Sequence, residues 1–154
     1  EIFNTRSRML EEITVDLGGR VAEEIRFGDI TTGASQDIKQ ATALAKAMVM
    51  KYGMSSKMGL ISYDDESGEV FIGRDFEKTR SYSERTADEI DEEVKAIIDQ
   101  CYRNARSIIL EHRDVLDMCA ELLLDKEKIG REEFEALFEN RTVESDEASG
   151  FIGE

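Results

Sequence analysis

Apolar residues recur every three or four positions along most of this chain, a spacing typical of one face of an α-helix. The first such stretch follows two possible N-caps, Asn4 and Thr5. Its predicted buried positions are Met9, Ile13, Leu17, Val21, Ala22 and Ile25. Gly18 and Gly19 fall inside the stretch. Because the apolar face continues beyond them, we expect an unbroken helix against which another backbone packs closely.

The same spacing predicts a second helix from about Ser35 to Tyr52, stopped by Gly53 and capped by Thr32 or Ser35. Its expected buried side is Ile38, Ala41, Ala45, Met48 and Val49. A long third helix is predicted after the N-cap Ser83. Its apolar face comprises Ile90, Val94, Ile97, Cys101, Ala105, Ile108 and His112. Two shorter helices follow, one with Val115, Met118, Cys119, Leu122 and Leu123, and one with Phe134, Leu137 and Phe138.

The apolar period changes between the second and third helices. Residues 60–63 and 69–72 are β-prone and flank the turn composition DDESG, so the sequence predicts a small β-hairpin-like excursion within residues 59–73. Residues 141–154 are small, polar and acidic, which predicts a disordered tail. The predicted fold is therefore mainly α, with one domain over residues 1–140.

Composition narrows the classes of partner. With 154 residues, the chain has room for one domain with a real core. A formal net charge of −15 disfavours nucleic acid and anionic lipid surfaces, both of which attract clustered Lys and Arg. No signal peptide and no apolar run of about 20 residues is found in the sequence. Cys101 and Cys119 lie at apolar positions and form no CxxC motif, so we expect two reduced core thiols in a reducing compartment.

Asp37 is the most informative polar residue, because the sequence holds no complete catalytic set. A phosphate-binding GK[ST] loop and a GxSxG nucleophile are both absent, and His112 is the only histidine. An acid in the first turn of a helix ordinarily interacts with the helix dipole. Asp37 also shares a face with Ala41, Leu44 and Met48, which predicts partial desolvation. It would then need a partner: an Arg such as Arg20, backbone donors or a metal ion.

Glu23 raises a similar choice. It lies at the edge of the first apolar stripe, and the simplest interpretation is an ion pair with Arg20 or Arg26 nearby in sequence.

Several ordered motifs resemble one known family. The segments LGGRVAEE, TTGASQDIKQATALAKAMV and YGMSSKMG are followed by YSERTADEIDEEVKAII, and together they run from about residue 5 to residue 125. The sequence resembles the C-terminal peptidase domain of the FtsH family, which are membrane-anchored, ATP-dependent zinc metalloproteases.

The resemblance implies a specific site. In the family, two histidines of an HExxH helix and an aspartate of the TTGASxD segment hold zinc, and that aspartate matches Asp37. Two histidines and one carboxylate leave a fourth position open for catalysis. Thr31, Thr32 and Ser35 would then supply hydrogen-bonding oxygens around the ligand, and Glu23 would support it or the helix.

The same resemblance implies that part of the family's machinery lies outside these residues. No HExxH motif occurs here, the chain begins at Glu1 rather than Met, and the ATPase module and membrane anchor are not represented. We therefore expect a non-catalytic piece of a longer protein. That protein would be a homohexamer at the cytoplasmic side of the bacterial membrane, degrading membrane and cytosolic proteins with Zn²⁺ and ATP/Mg²⁺. The alternative is an α-helical interaction or scaffold module without metal chemistry.

Overall fold

A computed structural model describes residues 3–64, 80–126 and 130–139, with the backbone alone for residues 123–126. Helix α1 spans Arg6–Phe27, and a 3-10 turn over Thr32–Ala34 leads directly into α2, Ser35–Met50. Helices α3 and α4 span Glu84–Glu111 and Arg113–Lys126, and α5 spans residues 131–139. These described ranges contain helices and no strand, which confirms the mainly α class.

Helix α1 begins and ends with the caps that its sequence supplies. The Thr5 hydroxyl accepts a hydrogen bond from the Arg8 N–H at 3.1 Å, which identifies Thr5 as the N-cap. At the other end Gly28 adopts φ 66° and its N–H donates to the Glu24 carbonyl at 3.0 Å. Glycine tolerates this left-handed conformation without the penalty of a Cβ, so the helix stops there.

The glycine pair inside α1 is only partly as predicted. The helix continues without a break through Gly18 and Gly19, which confirms the unbroken helix. The prediction of close backbone packing is wrong, since no described atom lies within 4 Å of the place where a Cβ would stand at either position. Gly19 instead borders an open groove of about 370 Å³ between α1 and α4, which Leu116, Cys119 and Ala120 line from the other side.

Helix α1 lies at the centre of one shared core, packing most extensively against α3 and next against α2. Each of the three helices contributes a buried stripe: Met9, Ile13 and Leu17 from α1, Ala41, Ala45, Met48 and Val49 from α2, and Ile90, Ile97 and Cys101 from α3. The alanines of α2 keep its buried face narrow, so α1 can approach closely. The first two helices therefore share their core with α3.

The predicted β excursion is wrong where the structure describes it. Residues 59–64 form no strand, and Leu60 and Ile61 are exposed, the former at 93%. The segment instead turns back along the end of α2, where the Tyr63 N–H donates to the Met50 carbonyl at 2.7 Å and the Tyr63 ring contacts Tyr82 edge-on. The second predicted run, residues 69–72, and the predicted tail, residues 141–154, lie outside the described residues.

The two cysteines have different surroundings. Cys101 is buried, its Sγ–H donates to the Leu10 carbonyl at 3.5 Å, and burial raises the pKa of its thiol. Cys119 is half-buried at the groove between α1 and α4. Both are free thiols, but only Cys101 is the core thiol that the pattern predicted. His112 ends α3, and its ring packs edge-to-face against Phe138 at 5.5 Å.

A side-chain hydrogen bond ties α3 to the end of α1. The Tyr102 hydroxyl donates to Oε2 of Glu24, and the acceptor carboxylate raises the pKa of Tyr102 because it favours the protonated phenol. This bond joins residues 78 positions apart in the sequence and links α3 to the C-terminal part of α1.

We expect Tyr102→Phe to lower the free energy of unfolding by about 1 kcal/mol, because the Glu24 carboxylate loses a hydrogen bond in a half-buried place. Urea denaturation at neutral pH measures the change. Tyr52→Phe is the matched control, since Tyr52 is 51% exposed, and should change stability by less than about 0.5 kcal/mol. Equal effects of the two substitutions would contradict the hydrogen bond between Tyr102 and Glu24.

Candidate metal-ligand site

Asp37 lies in the first turn of α2 and is exposed, so the predicted partial desolvation is wrong. The fully buried face of α2 begins one turn later, at Ala41, and in the first turn it is the half-buried Ile38 that packs against the core. Within residues 3–64, 80–126 and 130–139, the Asp37 carboxylate has no hydrogen bond or ion pair, and Arg20 is not its partner. Its oxygens therefore remain available to a ligand.

One acid of α1, Asp16, interacts electrostatically with Asp37. Asp16 is half-buried, and burial raises its pKa, as do the neighbouring charges of Asp37 and Glu12. Repulsion between the Asp16 and Asp37 carboxylates thus adds to the larger effect of burial on the pKa of Asp16. Sequence reasoning missed Asp16, because its nearness to Asp37 depends on how α1 crosses α2. A bound cation would relieve this repulsion.

The Glu23 carboxylate bonds to the loop before α2, where the sequence predicted an ion pair with an arginine. Its Oε2 accepts from the Thr31 N–H at 2.9 Å, and its Oε1 accepts from the Thr31 hydroxyl at 2.9 Å. Arg20 Nη2 donates to the Thr31 carbonyl at 3.1 Å, while Arg26 pairs with Asp117 of α4 at 3.4 Å. We call Arg20, Glu23 and Thr31 the Thr31 clasp.

The clasp perturbs the acidity of Glu23. The two hydrogen bonds from Thr31 lower the pKa of the Glu23 carboxyl below its usual 4.5, and the positive charge of Arg20 adds to this effect. Donors that point at a carboxylate favour its ionised form.

The clasp should therefore weaken in acid. Because the folded pKa of Glu23 is depressed, its contribution is complete above about pH 4.5 and is lost as pH falls through the lowered value. We expect the Glu23 carboxyl carbon to titrate by NMR with a midpoint below 4.5, and the Thr31 amide proton to shift with the same midpoint. In the Glu23→Gln variant the Thr31 shift should vanish. A Glu23 midpoint at or above 4.5 would contradict the bonding described.

Thr32 and Ser35 line an open depression of about 500 Å³ beside Arg20, Ile30 and Ile38. They do not cap α2 as the pattern predicted: the N-cap is Ala34, without a side-chain hydrogen bond, and Thr31 caps the preceding 3-10 turn. Neither hydroxyl bonds to Asp37 in the part of the chain that the structure describes. Their predicted role around the ligand stays a prediction.

The donor set here fits one ligand of a metal site rather than a whole site. No group of three or more His, Cys, Asp or Glu side chains in the described ranges is arranged to hold a metal ion. An exposed and unpaired carboxylate that interacts with a second acid, Asp16, is nevertheless a suitable oxygen ligand for a divalent cation. None of the described helices combines the length and apolar content that crossing a bilayer requires.

Comparison with known proteins agrees with the motifs. The model of peptidase family M41 matches residues 1–137. The chain is 47% identical over 142 residues to the ATP-dependent zinc metalloprotease FtsH of Ruminiclostridium cellulolyticum, covering 92% of this chain and 23% of that protein. It is 50% identical over 130 residues to the FtsH of Akkermansia muciniphila, covering 84% of this chain and 16% of the relative.

A third relative gives the same proportions. The FtsH of Bacillus subtilis is 42% identical over 142 residues, covering 92% of this chain and 22% of the relative. The chain thus spans a quarter or less of the length of these curated relatives.

Proposed function

This chain belongs to peptidase family M41, and on that premise we propose that it forms the later part of the peptidase domain of an ATP-dependent zinc metalloprotease. The observation that carries the proposal is the free Asp37 carboxylate in the first turn of α2, at the position that the family motif gives to a zinc ligand. Residues 1–140 would form the domain portion and 141–154 its acidic tail.

In this proposal Asp37 supplies one oxygen ligand to zinc, and the other ligands come from residues outside this chain. When bound, zinc supplies Lewis-acid chemistry for peptide hydrolysis. The described residues support that role in two ways. The first turn of α2 presents Asp37 to solvent, and the negative charge of Asp16 adds to that of Asp37, which favours a cation there.

The wider activity is also part of the proposal. The names of the relatives support ATP dependence and zinc. The resemblance to the FtsH family supports protein substrates, a homohexamer and a place at the cytoplasmic side of the bacterial membrane. ATP and Mg²⁺ would act in the ATPase module. By itself the chain should be inactive, because a lone carboxylate is a poor zinc site.

The scaffold alternative needs only apolar stripes and an acidic surface. Family membership favours the protease, since the matched region includes Asp37 and the whole described core.

The zinc content of the purified full-length protein tests the ligand assignment. We expect about one zinc per chain in the parent and a large loss in Asp37→Asn, because the amide removes the anionic oxygen ligand. Asp88→Asn is the matched control, an exposed aspartate of α3 without a bond among the described residues, and should keep the parent content. Equal zinc in Asp37→Asn and the parent would contradict the assignment.

A further inference from the structure

The Thr31 clasp uses every hydrogen-bonding group of one loop residue. The Thr31 N–H and hydroxyl donate to Glu23, its carbonyl accepts from Arg20, and its Oγ1 accepts from the Gly33 N–H at 3.1 Å. Such complete use is unusual for an exposed loop residue, whose polar groups can bond to water at little cost. The clasp thus fixes one point of the loop to α1.

Thr31 lies immediately before the segment that carries Asp37. Thr31 is the N-cap of the 3-10 turn Thr32–Ala34, and this turn passes into α2 at Ser35 without an intervening loop. Asp37 follows Thr31 by six residues, all of them in the turn or the first turn of α2. A displacement of Thr31 would therefore move Asp37 with it.

Besides the clasp, two apolar side chains attach the start of α2, the buried Ala34 and the half-buried Ile38. The N-cap Ala34 has no side-chain hydrogen bond, and the fully buried stripe of α2 starts at Ala41. Arg20 and Glu23 also share a face of α1 with Asp16, since positions 16, 20 and 23 follow the four-three spacing of a helix. One face of α1 thus contacts the loop through Arg20 and Glu23 and approaches Asp37 through Asp16.

We propose that Arg20, Glu23 and Thr31 are positioning residues that set where the Asp37 carboxylate stands relative to α1. The inference rests on the proposed function, since Asp37 is taken as a zinc ligand. The clasp acts through the backbone of the 3-10 turn and touches neither metal nor substrate. Loss of the clasp does not alter the Asp37 side chain itself. It allows the carboxylate to occupy positions other than the one that a metal ligand must hold.

The experiment uses the full-length protein and five variants, four for the clasp and its control and, as a fifth, Asp37→Asn. Thr31→Val removes the hydroxyl and keeps the shape, Glu23→Gln removes the anionic acceptor, and Thr31→Ser restores the hydroxyl. Glu11→Gln is the control, an exposed glutamate of the same helix without a bond among the described residues. The first readout is amide hydrogen exchange of peptides spanning residues 31–38. The second is the zinc dissociation constant from competition with a chelator.

We expect Thr31→Val and Glu23→Gln to speed exchange of this segment about five-fold, as the loss of one ordinary hydrogen bond would. Zinc should bind about 10-fold more weakly or worse, the usual effect of removing a group that orients a ligand. Thr31→Ser should restore both values to within about two-fold, which a loss of general stability would not predict, and Glu11→Gln should change neither.

Asp37→Asn, measured beside these variants, separates the two ideas. If it loses zinc while Thr31→Val and Glu23→Gln bind zinc like the parent, the clasp does not position the ligand and the inference is overturned, with the proposed function intact. Faster exchange with unchanged zinc affinity overturns it equally, because the clasp is then only structural. If Asp37→Asn keeps its zinc, the proposed function fails and the positioning role fails with it.

Discussion

The Asp37→Asn substitution in the full-length protein should lower protein hydrolysis at least about 100-fold and leave ATP hydrolysis within about two-fold of the parent. Groups that merely orient a metal ligand cost 10–100-fold when removed, so a ligand itself should cost no less. Asparagine keeps the size of the side chain and its place in the exposed first turn of α2, so the fold should not change. Degradation of an unfolded protein substrate and phosphate release, measured in the same samples, check the result.

Two comparisons make this prediction specific. Asp88→Asn removes a carboxylate from an exposed position of α3 and should retain both activities. A parallel loss of proteolysis and ATP hydrolysis in Asp37→Asn would point to a damaged assembly instead of a lost ligand. If Asp37→Asn degraded the substrate as fast as the parent, Asp37 would not be an active-site residue.

The second large effect concerns the core. Ile13 is 0% exposed on the face of α1 that packs into the shared core with α2 and α3. We expect Ile13→Ala to lower the free energy of unfolding by about 2–5 kcal/mol, since it loses buried methyl groups and leaves a cavity that close-packed neighbours fill poorly. Such a loss is a large part of the roughly 5–15 kcal/mol that stabilises a typical domain.

Urea denaturation of the chain measures this change. Val15→Ala is the matched control on the same helix, because Val15 is 76% exposed, and should cost less than about 0.5 kcal/mol. A loss below about 1 kcal/mol for Ile13→Ala would mean that Ile13 does not lie between the three helices.

The helices could be predicted because helix formation depends on residues that are close together in the sequence. The four-three spacing of Met9, Ile13 and Leu17 depends only on the helix period, and all three residues are buried. The Thr5 and Ser83 caps act within a few residues of themselves, and both were recognisable in the sequence. Periodicity says nothing, however, about which faces meet, so the common core of α1, α2 and α3 was not foreseen.

The errors share a physical cause, since each concerns contacts between distant parts of the chain. A β-prone run over residues 60–63 needs a partner strand, and the described residues supply none, so the segment follows the end of α2. Gly19 borders a groove toward α4 that no local rule could reveal. Asp37 shares a helical face with the buried Ala41 and Met48, yet is itself exposed.

The candidate site divides in the same way. Asp37 was found from its motif, but the partners of Glu23 were not, because Thr31 lies eight residues away across a loop. The interaction of Asp16 with Asp37 could not be predicted either, because it depends on how α1 packs against α2. A motif can therefore indicate a candidate ligand, whereas the contacts of the neighbouring groups depend on the folded loop.

The central claim is that the Asp37 carboxylate binds zinc. The most direct measurement is a crystal structure of the full-length protein with diffraction data at the zinc absorption edge. We expect an anomalous peak about 2.0–2.2 Å from an Asp37 carboxylate oxygen, the usual zinc–carboxylate distance. A fully occupied zinc peak elsewhere, with Asp37 outside its ligand sphere, would contradict the account.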